Sequence, residues 1–475
     1  MVLNIVTDNL AKDIRKGKMM RKNAGYVVSS LMIAGFAFMC STGFCCKAGA
    51  AANDGNTITV GSDASTIAEA IDKASNGDTI VIPKGNYSEQ LKIEKDGVKL
   101  VGEEGAVLNG ADLTPTKEDY AMINVHAKNV SITGLEITGL SQDHPSMDVK
   151  PMGIYVDAGS DGISISKCKI HDMGVKYTEE SEYYNAHGIL VYGQPEAPVN
   201  GVSITGNEIY NMTLGNSEAL VVNGNVGDFD ISGNYVHNCD NIGIDAIGYE
   251  RTDPETGELL LLETDRAHDG KIHDNTVVGI SSAKNMTYFG DACADGIYVD
   301  GGKDIDIFNN YVSDSDIGIE IATEHHGTAT TGIEVYNNTL VENNNLAGIV
   351  IGGCNPEENG EAKACHIYNN TVLNTDNNCI SIQNAHDEEN VIEKNIFIAA
   401  NEAEVYYEEC GDNSKGNTIR NNASNQKMKV GEDNITFKLI GVSTENNAIK
   451  LEATEELKGL GADSTQVIPM DFNED

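Results

Sequence analysis

Tryptophan is absent from this chain of 475 residues, proline occurs only 9 times, and lysine and arginine total 32 against 73 aspartates and glutamates. The shortage of basic residues leaves a formal net charge of −41. That excludes nucleic acid as a partner, because a polyphosphate backbone needs a basic footprint. It also repels any polyanionic ligand unless a cation bridges the two, while neutral ligands are unaffected. Without tryptophan, the 18 tyrosines are the main rings available for stacking. Cysteine supplies no framework: three of the ten lie before residue 47, and the other seven are odd in number and show no C-x-x-C spacing. A disulfide scaffold and a zinc ribbon are both excluded. Long apolar runs are missing too, except for residues 25–46.

What the chain does contain is a repeat. Residues 296–321, GIYVDGGKDIDIFNNYVSDSDIGIEI, hold short runs of alternating apolar residues (Ile297 and Val299, Ile305 and Ile307, Tyr311 and Val312) separated by Gly, Asn and Asp. Each run is a strand too short to stand alone. The equivalent of Asn310 recurs at Asn207, Asn234, Asn275, Asn338, Asn370, Asn395 and Asn422, with spacings of 27, 41, 35, 28, 32, 25 and 27. The unit is therefore roughly 25 to 28 residues, and the larger spacings mark inserted loops. Three short strands cannot bury an apolar face by themselves, so neighbouring units must stack, at about 4.8 Å per rung. Inward Ile, Val and Leu then form a continuous core, with the turn asparagines bonded along the axis. Cys168 stands in the ladder position and Cys379 in the strand-leading Gly position, as packed thiols. Cys354 and Cys365 flank one loop and can pair.

In this repeat the sequence resembles the right-handed parallel β-helix proteins of the pectate-lyase-like class over roughly residues 56–422. The resemblance implies an all-β fold: a single right-handed parallel β-helix over residues 53–426. Its members include polysaccharide lyases, glycoside hydrolases, uronate epimerases and non-catalytic surface proteins. GDTIVIPKGNYSEQLKI, residues 77–93, is similar to the first rung of secreted β-helix polysaccharide lyases. Ahead of it Thr66 and Glu69 fit a capping box, and Ile67, Ala70, Ile71 and Ala74 mark one face of a short helix that plugs the open core. Residues 427–475, ending VIPMDFNED, resemble the closing segment of such proteins and are expected to cap the other end. Subfamily motifs do not transfer. Asn374-Thr375-Asp376 matches the first of four polygalacturonase signatures without the others, and Asp253-Pro254-Glu255 is a poor match to the D-P-H-E motif of mannuronan epimerases.

Six Lys or Arg in residues 12–22, the apolar run 25–46 and the alanine cluster that follows read as a signal peptide over residues 1–52, cleaved near Ala51 or Asn53. An uncleaved anchor is the alternative, since such a run can just span a bilayer. Either way the chain is expected to be secreted or held at the cell surface, as a monomer that meets membrane only through this segment.

The middle rungs carry the candidate chemistry. Gly243-Ile244-Asp245, Gly296-Ile297-Tyr298 and Gly318-Ile319-Glu320 begin successive rungs. Their third residues fall in one outward column, with the two carboxylates about 10 Å apart. Tyr155, Leu190, Val221, Val350 and Ser381 occupy that column elsewhere. The largest insertions, residues 249–268 and 279–295, flank it; the first holds Arg251, Arg266 and His268, and a third loop, 322–331, holds Glu324, His325 and His326. Three uses suit this set. Asp295 and Asp300 can hold Ca²⁺. A base among His268, Lys303 and Tyr298 can take the proton α to a uronate carboxylate neutralised by Arg266 or Ca²⁺, which is β-elimination, the expected activity on a uronate-containing polysaccharide, or epimerisation. Asp245 and Glu320 can instead hydrolyse a glycoside with inversion. A non-catalytic glycan-binding adhesin is the other class of reading. His126, Asp157, His171 and His187 read as solvated surface.

Overall fold

The alternating Ile and Val positions pair in register from one repeat to the next. The computed structural model describes residues 55–453 except 147, 354, 401–402, 409–414, 438 and 446–447, and of 439–453 only the backbone. The segment expected to be a signal peptide, Cys354 and residues 454–475 lie outside the described residues. Three parallel sheets of 17, 11 and 13 strands run along the solenoid, so the chain is a right-handed parallel β-helix. Core positions such as Ile244, Ile297, Ile319, Ile349 and Ile380 stack one above another with no exposure.

The asparagine ladder forms as the spacing requires. Each Nδ2 donates to the Oδ1 of the next rung at 3.0 Å from Asn207 through Asn422. The backbone N–H of Cys168 donates to Asn207 Oδ1 at 2.9 Å, so the thiol occupies the ladder's first step. Asn309, Asn337, Asn369 and Asn421, one residue ahead, adopt left-handed φ of 53–56°. The Asn-Asn pair thus divides its labour, one residue turning the chain and the next bonding along the axis.

At the start, helix α1 (Ile67–Lys73) buries Ile67, Ala70 and Ile71 against the first rung. Thr66 Oγ1 accepts from Glu69 N at 3.0 Å, and Glu69 Oε2 accepts from the N–H of Ser65, one residue ahead of the cap, at 2.7 Å, a variant of the expected capping box. At the other end the rungs continue past residue 426: Ile435–Thr436 pairs in parallel with Ala423–Ser424, and an antiparallel hairpin, Leu439–Glu445 with Ala448–Ala453, follows. Cys365 is a buried free thiol.

Candidate functional site

The 11-stranded sheet carries the site on its outer face. Its register runs Lys92, Asn124, Tyr155, Leu190, Val221, Asp245, Tyr298, Glu320, Val350, Ser381, Tyr407, which confirms the column read from the sequence. The column is not a solvated groove, however. Asp245, Tyr298 and Glu320 are 1–2% exposed, because the insertions fold down over the middle rungs. What remains open is a cavity of about 630 Å³ lying mainly over the rungs before Asp245. It is floored by two columns: Asn124, Tyr155, Leu190, Asp245 and Tyr298, then two residues further along each strand His126, Asp157, Tyr192, Asn223, Ile247 and Asp300. Tyr120 meets Tyr155 edge-on, with centroids 5.7 Å apart.

Asp245 is the electrostatic centre. Burial pushes its carboxyl well above the usual carboxylate range, and the neighbouring Glu218, Asp300 and Asp295 push it further. Its Oδ1 has no hydrogen-bond partner among the described residues. Glu218, from the turn ahead of the strand Leu220–Gly224, lies 3.4 Å from His187 Nδ1. Glu218 and Glu250 are the acids that most favour a charge on Lys150, whose ammonium burial disfavours. Asp300 is also raised well above its ordinary value, by burial and then by Glu324. Glu250 Oε1 sits 2.7 Å from His325 Nε2. Burial works against charge on that imidazole, but Glu250, Asp300 and Glu324 outweigh it and bring its pKa to about 9. A folded pKa raised from 6.5 to about 9 gives stability that is complete below pH 6.5 and lost as pH passes 9. The thermal midpoint is therefore expected to fall across that window. His325→Gln should flatten the fall by on the order of 2 kcal/mol, as scanning calorimetry at several pH values would show; an unchanged slope would remove His325 as its source.

The sequence-predicted residues divide. Asp245, Tyr298 and Asp300 meet at the cavity. Glu320 is in the column but outside the cavity lining, and Asp295, at the first position of the strand Asp295–Asp300, is fully buried. Among the described residues no three His, Cys, Asp or Glu side chains converge as a metal centre requires. His268 belongs to the 17-stranded sheet, beside Lys303, and is bonded to Asp269 and Asn225. Neither His268 nor Lys303 reaches the cavity.

Arg266 is corrected most clearly. Its guanidinium is 3% exposed and donates to the carbonyls of Gly301 and Gly302 at 2.8 Å and of Ala329 at 2.6 Å, and to Glu263, over the ring of Tyr249. It ties the first insertion to two later turns and has no fork left for a uronate. Arg266→Lys is expected to destabilise the fold by about 3 kcal/mol in urea titration, since one ammonium cannot satisfy that set of carbonyls. Ligand affinity of the folded protein should be unchanged; a selective loss of affinity would return Arg266 to the site.

Three of the four polar residues read as solvated, Asp157, His171 and His187, are partly or fully buried, while His126 stays exposed. His126 and Asp157 are paired at 2.8 Å on the cavity floor, where Tyr155 donates to Asp157 at 2.8 Å. His187 is buried against Glu218. His171 stacks on Tyr210, which stacks on His237, along the 13-stranded sheet. Glu218, Lys150, Tyr120 and Tyr192, which also line the cavity, were missed by sequence reasoning. The second floor column was recoverable by counting two residues on from each column member; Glu218 and Lys150 lie in turns without periodicity.

The fold and its sheltered outer face define a right-handed parallel β-helix protein with a covered, tyrosine-lined cavity. The chain is 34% identical over 369 residues, 75% of each sequence, to the uncharacterized protein YwoF of Bacillus subtilis (strain 168), and belongs to that protein's family. No family model matches it. Among solved structures it is similar to the GH136 lacto-N-biosidase of Eubacterium ramulus, at 13% identity and TM-score 0.52, over 78% of this chain and 64% of that one. It is also similar to the mannuronan C-5 epimerase AlgE4 A-module of Azotobacter vinelandii, at 13% identity and TM-score 0.43, over 72% and 91%. These likenesses concern the fold.

Proposed function

We propose that this protein is a carbohydrate-active β-helix enzyme that cleaves a glycosidic bond in the cavity over the 11-stranded sheet, outside the cytoplasmic membrane. One observation carries the reading: Asp245, held neutral by burial and by neighbouring acids, lies beside Glu218, which faces His187 and Lys150. A carboxyl held neutral can act as an acid, and a second carboxyl close to it, set against a histidine, is placed to act as the base. Asp245 gives its proton to the departing glycosidic oxygen. Glu218 takes a proton from the water whose oxygen bonds to the anomeric carbon. Tyr120, Tyr155, Tyr192 and Tyr298 offer ring faces and hydroxyls to the sugars. Carbohydrate-processing enzymes among the fold neighbours support the class and leave the reaction open.

β-Elimination on a uronate is the second reading, and Lys150 favours it. A lysine whose ammonium is disfavoured by burial can take the proton α to a carboxylate. A panel of pectate, alginate, glycosaminoglycans and neutral glucans separates the two. New reducing ends without ultraviolet absorbance of an unsaturated uronate support hydrolysis, and that absorbance supports elimination. Binding without either product leaves an adhesin.

A further inference from the structure

Five large apolar side chains are exposed among the described residues: Tyr183, Leu259, Leu260, Leu261 and Phe289. All five lie in insertions that border the cavity sheet. Tyr183 and Phe289 precede the strands His187–Gly193 and Asp295–Asp300, and the leucines follow the strand Ile244–Ile247. Single exposed apolar residues need no explanation, but three in succession beside a cavity do.

The leucine segment has a defined conformation. Thr252 and Leu259 form an antiparallel bridge, Leu260 N donates to Arg251 O at 2.8 Å, and Asp253 N donates to Glu258 O at 2.7 Å. The hairpin leans on the cavity's rim. Glu250 at its base lines the cavity, and Arg251 is bonded to Glu196, between the lining residues Gln194 and Ala197. Its nearest charges in sequence are Glu258 and Glu263, while both of its arginines are already paired. An anionic headgroup is therefore repelled, and an uncharged chain is not.

We propose that the leucine hairpin is an apolar subsite for the aliphatic part of a neutral amphiphilic glycan, a glycolipid or alkyl glycoside, whose sugar enters the cavity. This rests on the reading of the cavity as a carbohydrate site. Leucine side chains beside the rim remove the alkyl chain from water, and the flanking glutamates set the preference for uncharged lipid.

The test is calorimetric titration of the full chain with dodecyl maltoside and methyl maltoside, both below the micellar concentration. The dodecyl compound is expected to bind at least about tenfold more tightly. The triple variant L259S/L260S/L261S should lose that preference and keep its circular dichroism, and Leu260→Ser alone should lose part of it. Phosphatidylcholine vesicles should retain the wild-type chain and phosphatidylglycerol vesicles should not. Equal affinities, no binding of either compound, or a preference that survives in the triple variant would overturn the proposal. So would a change of oligomeric state in that variant, which makes the leucines a contact between two copies. An alkyl preference without cleavage of any glycan leaves the subsite standing and removes the enzyme reading; cleavage without the preference does the reverse.

Discussion

Asp245→Asn is expected to lower glycan cleavage by about 10³-fold, the usual worth of a general acid, while the chain stays folded. The substitution is nearly isosteric and removes a group that the fold already holds neutral. Its sign on stability follows from linkage. A carboxyl whose folded pKa is raised contributes stability below its unfolded pKa and loses it as pH rises through the folded value. The variant should therefore match the wild type only below the ordinary carboxyl value of 3.8 and exceed it increasingly as pH rises from there through neutrality. Glu218→Gln should lose comparable activity but also stability, because its partners His187 and Lys150 are left facing a neutral amide. Initial rates on the best glycan of the panel, with thermal scans on the same samples, check both. Wild-type turnover by the Asn variant would exclude Asp245 as the proton donor.

The largest effect on stability is expected at the centre of the asparagine ladder. Asn310 Oδ1 accepts from the N–H of Asn275 and from its Nδ2, both at 3.0 Å, and Asn310 Nδ2 donates to Ile272 O and to Asn338 Oδ1. Asn310→Ala deletes all four and leaves a buried backbone N–H without a partner. The cost should be about 4 kcal/mol in urea unfolding, against about 1 kcal/mol for Asn434→Ala at the half-exposed end, which loses fewer bonds. Equal small losses at both positions would reduce the ladder to a packing motif.

The repeat made the fold and the column legible because strand register depends only on position within a rung, and an insertion of any length returns the chain to the same register. Asp245, Tyr298 and Glu320 could be aligned from sequence for that reason, and the pairing reproduces them. What the repeat leaves open is where the insertions fold. Their packing buries the column, turns Arg266 inward onto carbonyls and brings Glu218 and Lys150 to the cavity. None of these contacts has a period. Asp157 looks like a surface residue in the sequence until the Tyr155 hydroxyl is seen to donate to it at the cavity.

The ladder has one further property. Every side-chain amide in it points the same way, its N–H towards the following rung, so seven bonds align eight dipoles end to end along the solenoid. Such a row is polarised: its first oxygen needs a donor and its last nitrogen an acceptor. The backbone of Cys168 supplies the donor, and Asn434 Oδ1 supplies the acceptor. These terminators set the length of the polarised row and not of the solenoid, whose rungs before Cys168 stack in register without it.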